Sequence, residues 1–131
     1  MALEVRLVTP DREVWSGPAQ MVIAHGVDGD VGIMPGHAPL LIRLTVSVLR
    51  IQGEDGTWTR AVVDGGFLHV TSAGDVTRVD VLASGAEMVA DVDRAAAEAR
   101  VAEIRARLAD QDDELAKAEL ERALVRAGLP A

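Results

Sequence analysis

The chain has 131 residues, 49% of them apolar and 26% charged, proportions that suit one compact domain, or a domain with a small appendage, and exclude a disordered chain. A net charge of -8 repels nucleic-acid phosphates, so no nucleic acid is expected among its partners. The lack of cysteine excludes disulfide staples, thiolate zinc sites and cysteine nucleophiles together.

No run of about 18 apolar residues occurs, and Glu4 and Arg6 stand where a signal peptide would need an apolar core, so membrane contact is expected only through a partner. The aromatic residues are Trp15, Trp58 and Phe67. They are too few for a base-stacking platform and are expected in the core.

Composition changes near residue 90. Residues 1–89 hold 15 of the 18 valines, 11 of the 12 glycines and 4 of the 5 prolines, whereas the last 42 residues hold 13 of the 21 alanines. Valine suits a pleated, half-buried surface, glycine and proline punctuate turns, and alanine favours helix. In the first region Leu3 to Leu7 alternates apolar and polar, as a strand with one buried face requires, and Thr9-Pro10-Asp11 stops it. Further strands are expected over Met21–His25, Leu40–Leu44, Val46–Ile51, Thr57–Val63, Phe67–Thr71 and Val76–Leu82. Turn signals between them are Gly17-Pro18, Asp28-Gly29, Pro35-Gly36, Gly53 to Gly56, Gly65-Gly66 and Ala73-Gly74. Short strands broken at such intervals indicate an all-β antiparallel sandwich or barrel.

From Ala90 the period becomes helical. Ala97, Val101, Ile104 and Leu108 line one face, with Asp91 placed as an N-cap. Asp110-Gln111-Asp112-Asp113 offers a break and fresh caps. Ala116, Leu120, Ala123, Leu124 and Ala127 then line a second face, which Gly128 and Pro130 end. The pattern is an α-helical hairpin with narrow, Ala-rich faces that bury little area, as a movable element would.

Signals for chemistry in the β region are weak. The glycine-rich segment Gly26 to Gly36 lacks the Gly-Lys-Ser/Thr end of a phosphate loop, and Asp28 and Asp30 lack the later ligands of a calcium loop. His25, His37 and His69, with Asp28, Asp30 or Asp64, supply enough donors for zinc, though without a short ligand spacing. A small β-sandwich metalloenzyme using these histidines is the alternative reading. In the helical region Asp91 and Arg94 stand at i, i+3, and Arg122 and Arg126 at i, i+4. Paired arginines can be aimed at an anion, or can simply form a solvated helix face.

The segment Gly29-Asp-Val-Gly-Ile-Met-Pro-Gly-His-Ala-Pro-Leu40, with Val8-Thr-Pro-Asp11 and Gly65-Gly-Phe-Leu-His-Val70, resembles the epsilon subunit family of the F-type ATP synthase. The likeness runs from Leu3 to about Ala127. It implies a sandwich of about ten strands in two sheets over residues 1–88, binding the gamma subunit and the ring of c subunits, and a two-helix regulatory domain over residues 89–131. The implied role is non-catalytic, in the central stalk that couples proton translocation to ATP synthesis. The implied place is peripheral, on the cytoplasmic side of the cell membrane.

By the same resemblance Asp28, Gly29, Asp30, Val31, Gly32, Ile33 and Met34 face the ring, and Pro35, Gly36 and His37, on to Leu40, lie near gamma. In many bacterial members of the family the helical domain switches between a compact form and an extended form that blocks ATP hydrolysis. Extended, it would set Arg105, Arg107, Lys117, Arg122 and Arg126 against acidic surfaces of the catalytic head, formed by the beta and alpha subunits. Some members bind ATP through Ile/Leu-Asp-x-x-Arg-Ala and arginines of the second helix. Asp91, Arg94, Ala95, Arg122 and Arg126 match that pattern, and Ala90 departs from it. No cofactor is expected to be required, with ATP as a regulatory ligand. A free-standing nucleotide sensor is the remaining option.

Overall fold

The structure is a computed structural model that describes residues 2–128; the helix-ending Pro130 lies outside the described residues. The chain divides into two compact units, Met1–Met88 and Val89–Ala131.

The first unit holds eight strands: β1 (Ala2–Val8), β2 (Glu13–Ala19), β3 (Met21–Gly26), β4 (Gly29–Ile33), β5 (Leu40–Gln52), β6 (Trp58–Ala73), β7 (Val76–Ala83) and β8 (Ala86–Met88). They form one hydrogen-bonded sheet in the order β2-β1-β7-β6-β5-β3-β4, with β8 on β6. The sheet becomes a sandwich because β5 and β6 each serve both layers. The first half of β5, Leu40–Leu44, pairs with the second half of β6, which also carries β7; Val46–Gln52 pairs with the first half of β6, which carries β8. The segments expected as Leu40–Leu44 and Val46–Ile51, and as Thr57–Val63 and Phe67–Thr71, are thus halves of two continuous strands. Counting those halves separately brings the strand number close to the expected ten.

The bend lies at Gly65 and Gly66, at φ +81° and +118°, a region that L side chains rarely adopt. They kink β6 instead of ending it. A Cβ on Gly66 would fall 2.2 Å from the carbonyl oxygen of Leu82 and 2.8 Å from Cα of Ala83.

Three strands escaped the sequence pattern. In β2, Gly17 and Pro18 are strand residues, because β2 is an edge strand that pairs only with β1 and its outer N–H groups need no ladder partner. Gly17 lies under the Trp15 ring, 3.3 Å from where its Cβ would be. β4 and β8 are too short to show a period. The sheet is also not wholly antiparallel, since β1 and β7 run parallel with Val5 opposite Val79. Between the layers pack Leu3, Val5 and Leu7 of β1, Val22 and Ala24 of β3, Ile33 of β4, Leu49 and Ile51 of β5, Leu68 and Val70 of β6, and Val79 and Val81 of β7. Two aromatic residues depart from the expectation of burial: Phe67 and Trp58 are exposed.

In the second unit, Val89–Asp91 forms a 3-10 turn, closed by Val92 N–H on the Val89 carbonyl. The first helix, α1 (Arg94–Asp110), therefore begins later than the periodicity suggested, and its cap is Asp93, not Asp91: Asp93 Oδ1 accepts the Ala96 N–H at 3.0 Å. The second helix, α2 (Glu114–Ala127), is capped by Asp113 on the N–H groups of Leu115 and Ala116, and ends at Gly128 in the left-handed conformation. Ala97, Val101 and Ile104 pack on Ala116, Ala123, Leu124 and Ala127, with Leu108 and Leu120 at the margin. Across this narrow seam Glu119 takes Arg100 at 2.5 Å and Arg107 at 3.7 Å.

Gly66→Ala should lower the unfolding free energy by about 2–4 kcal/mol, combining positive-φ strain with a backbone collision. The midpoint of chemical denaturation measures this; an unchanged midpoint would show that the bend does not depend on a bare backbone.

Candidate functional site

The first candidate surface is the β3–β4 hairpin and the loop into β5. Val27 and Asp28 form the turn, and Gly29 follows at φ +133°. Asp28, Gly29, Asp30 and Gly32 are exposed and Val31 half-buried. His25 and Asp30 face each other across the ladder, Nδ1 to Oδ1 2.6 Å, while Thr45 Oγ1 donates to the His25 carbonyl at 3.1 Å. The tip is therefore braced by side chains as well as by backbone.

Ile33 is a correction within the predicted contact set. Its side chain is 0% exposed, opposite Val22 in the core, so it anchors the loop and offers nothing to a partner. Met34 next to it is 55% exposed. Pro35 and Gly36 form a turn closed by His37 N–H on the Met34 carbonyl at 3.1 Å. Gly36 N–H also donates to Thr77 Oγ1 at 2.8 Å, and Thr77 is fully buried. Sequence reasoning missed Thr77; its signal was a hydroxyl in the inward register of Thr77, Val79, Val81 and Ala83.

The three histidines do not assemble. His25 is engaged with Asp30, His37 Nδ1 lies 2.7 Å from the Ala38 carbonyl oxygen, and His69 stands on β6 between Leu41 and Asp80. Among the described residues no group of three or more His, Asp or Glu side chains could hold a metal ion. The metalloenzyme alternative therefore has no ligand set.

The sequence also gave no notice of an apolar outer face. Leu41 is 65% exposed, Phe67 45% and Leu82 53%. Phe67 lies opposite Leu82, and Leu82 opposite Val8, in adjoining strands. Val8, Phe67 and Leu82, with Thr9, Pro10, Gly66, Ala83 and Ser84, line a shallow hollow of about 410 Å³; Leu41 lies outside it. A cluster of apolar side chains left in water marks a contact surface more strongly than single exposed residues do.

On the helical unit Asp91 is exposed in the 3-10 turn. Arg94, first residue of α1, donates Nε–H to the Ala127 carbonyl at 2.9 Å and has Glu98 at 3.6 Å. Arg122 and Arg126 are half-buried on α2, with Arg126 Nη1 donating to the Arg122 carbonyl at 3.2 Å. The fold thus brings Arg94 to the end of the helix that carries the other two arginines. Lys117 pairs with Asp112 at 2.6 Å and Glu114 at 3.0 Å. The hydrogen bond to Asp112 leads in holding the ammonium well above its ordinary value, and the same bond holds the Asp112 carboxyl low, so both stay charged. No helix among the described residues is long and apolar enough to cross a membrane.

The fold defines a β-sandwich with a braced loop and exposed apolar side chains on an outer face, followed by a two-helix unit. The beta-sandwich domain of the ATP synthase Delta/Epsilon chain family matches residues 2–89. The ATP synthase epsilon chain of Thermobifida fusca is 42% identical, covering 92% of this chain and 95% of its own; that of Synechococcus elongatus is 40% identical, covering 97% and 90%. A chain in the Euglena gracilis mitochondrial ATP synthase structure superposes with a TM-score of 0.76 at 24% identity, over 95% of this chain and 76% of that one, and shares its fold. The protein belongs to the ATP synthase epsilon chain family, whose members are non-catalytic subunits of the complex.

Thr77→Val keeps the shape but removes the acceptor for Gly36 N–H. The buried bond should cost about 1–2 kcal/mol, and the Gly36 amide should lose hydrogen-exchange protection while the Val79 amide keeps its own. Equal protection of Gly36 in both proteins would show that the loop is held by other means.

Proposed function

We propose that the chain sits at the foot of the central stalk, coupling proton translocation to ATP synthesis, with its sandwich bridging the gamma subunit and the c ring. The apolar outer face of Leu41, Phe67 and Leu82 carries this reading, since an exposed apolar cluster of this kind suits a lasting partner. Gamma takes that face and the adjoining Pro35 to Leu40. The hairpin tip, Asp28 to Gly32 with Met34, takes the polar loops of the c subunits; a tip already braced by His25 and Asp30 loses little conformational freedom on docking. The site is peripheral, on the cytoplasmic side of the cell membrane.

The helical unit acts as a brake on ATP hydrolysis. Closed, it is a hairpin; extended, it sets its basic residues against acidic surfaces of the beta and alpha subunits. Its small-residue seam supports the reading, because alanine contacts release less energy than a leucine core would. ATP serves as a regulatory ligand, with Arg122 and Arg126 placed to meet phosphate, Arg94 at the same end of the hairpin, and Asp91 available to ribose or base.

The Phe67→Glu/Leu82→Glu double variant should keep its folded circular-dichroism spectrum yet bind isolated gamma subunit at least about tenfold more weakly, as expected when interface anchors are replaced by charges. Undiminished binding would move gamma to another face. Arg122→Ala/Arg126→Ala should weaken ATP binding to the full chain by about tenfold or more in calorimetry, since each lost charged hydrogen bond matters on this scale. Equal affinity would remove both arginines from the site.

A further inference from the structure

We propose that Arg94 is the clasp of the helical hairpin, a positioning residue that holds the open end of α2 closed even when no nucleotide is present. The proposal deepens the regulatory reading above, and in its nucleotide arm rests on it.

Arg94 opens α1 and Ala127 closes α2, so their bond joins the hairpin at the end opposite its turn, between residues 33 apart in the chain. The last carbonyls of a helix have no partner within the helix and carry the negative end of its dipole. A guanidinium is suited to both, and Nε–H meets the Ala127 carbonyl at 2.9 Å. Gly128 completes the fit. It turns the chain at φ +70°, and a Cβ there would lie 3.3 Å from Arg94 Nη2 and 3.6 Å from Cζ. The glycine thus serves the left-handed turn and leaves room for the guanidinium beside it.

The middle of the hairpin is held differently, by Arg100 and Arg107 on Glu119 and by the packing of Ile104. Arg94 therefore controls the end alone. Because Nε–H donates to the carbonyl, the guanidinium is held beside the end of the helix that carries Arg122 and Arg126, with Glu98 at 3.6 Å on its own helix. Hairpin closure and the arrangement of the cationic groups are then one event. ATP would meet arginines already gathered by the clasp.

A group that only binds phosphate would leave the nucleotide-free hairpin unaffected when removed. The test is native-state hydrogen exchange on the full chain without nucleotide, comparing wild type with Arg94→Gln, Arg94→Lys and Gly128→Ala. In Arg94→Gln the amides from Val125 to Gly128 should exchange about three- to tenfold faster, the range expected for one charge-assisted bond at a partly exposed site. Those near Ile104 should be unchanged. Arg94→Lys, which keeps a positive charge at the end of α2, should recover part of the protection. Gly128→Ala should also speed exchange, and by less in the Arg94→Gln background, where the group that crowds its methyl is gone.

Unchanged protection of Val125 to Gly128 in Arg94→Gln would overturn the proposal. So would equal loss along the whole hairpin, which would mean general unfolding. An ATP titration of the same proteins separates the two readings. If wild type binds no ATP, the nucleotide reading fails and the exchange result still decides the clasp. If Arg94→Gln loses ATP affinity with normal exchange, Arg94 is a phosphate ligand and not a clasp.

Discussion

The β unit depends on a strand bending where no side chain fits. At Gly66 the carbonyl of Leu82 occupies the space a methyl would need, and the positive φ of Gly65 and Gly66 lets β6 pass from one layer to the other. Its partner β5 follows the same change of layer, with its pairing interrupted between Leu44 and Val46. One continuous sheet can then enclose Leu7, Ile33, Leu49 and Leu68 between its own halves. The same bend sets Phe67 directly after the kink, on the outer face, opposite Leu82. The geometry that closes the core thus also builds the apolar outer surface proposed to meet gamma.

The two units rest on different physics. The sandwich buries many large side chains, and even the loop from β4 to β5 is tied inward by Ile33 and by Gly36 on Thr77. The hairpin is held by a seam of small side chains, by Glu119 between two arginines, and by one guanidinium on a helix end. Exposed ion pairs contribute modestly and weaken with salt.

Much of this was legible in the sequence, and the gaps have physical causes. Period-two alternation marked β1 and β7 because each has one buried face. The helical faces of α1 and α2 followed from the i, i+4 spacing, and the segment Gly29 to Leu40 carried the family. Strand continuity through Gly65-Gly66 was hidden because the residues that usually stop a strand here bend one. Gly17-Pro18 misled for a related reason, since an edge strand tolerates both. Phe67 was expected inside because aromatic residues usually are; only the register with Leu82 turns it outward. Asp91 was two residues early as a cap because the 3-10 turn cannot be separated from a helix start by period alone. The Arg94 contact with Ala127 is a side chain reaching a distant carbonyl, which no local pattern encodes.

The central claim is that the sandwich bridges two partners by two different surfaces. It is tested most directly by placing a photo-activated cross-linking side chain at Leu82 in one protein and at Asp28 in another, each assembled into the complete synthase. Leu82 should capture gamma and Asp28 should capture c subunits. Capture of the c ring from Leu82, or of gamma alone from Asp28, would contradict the account.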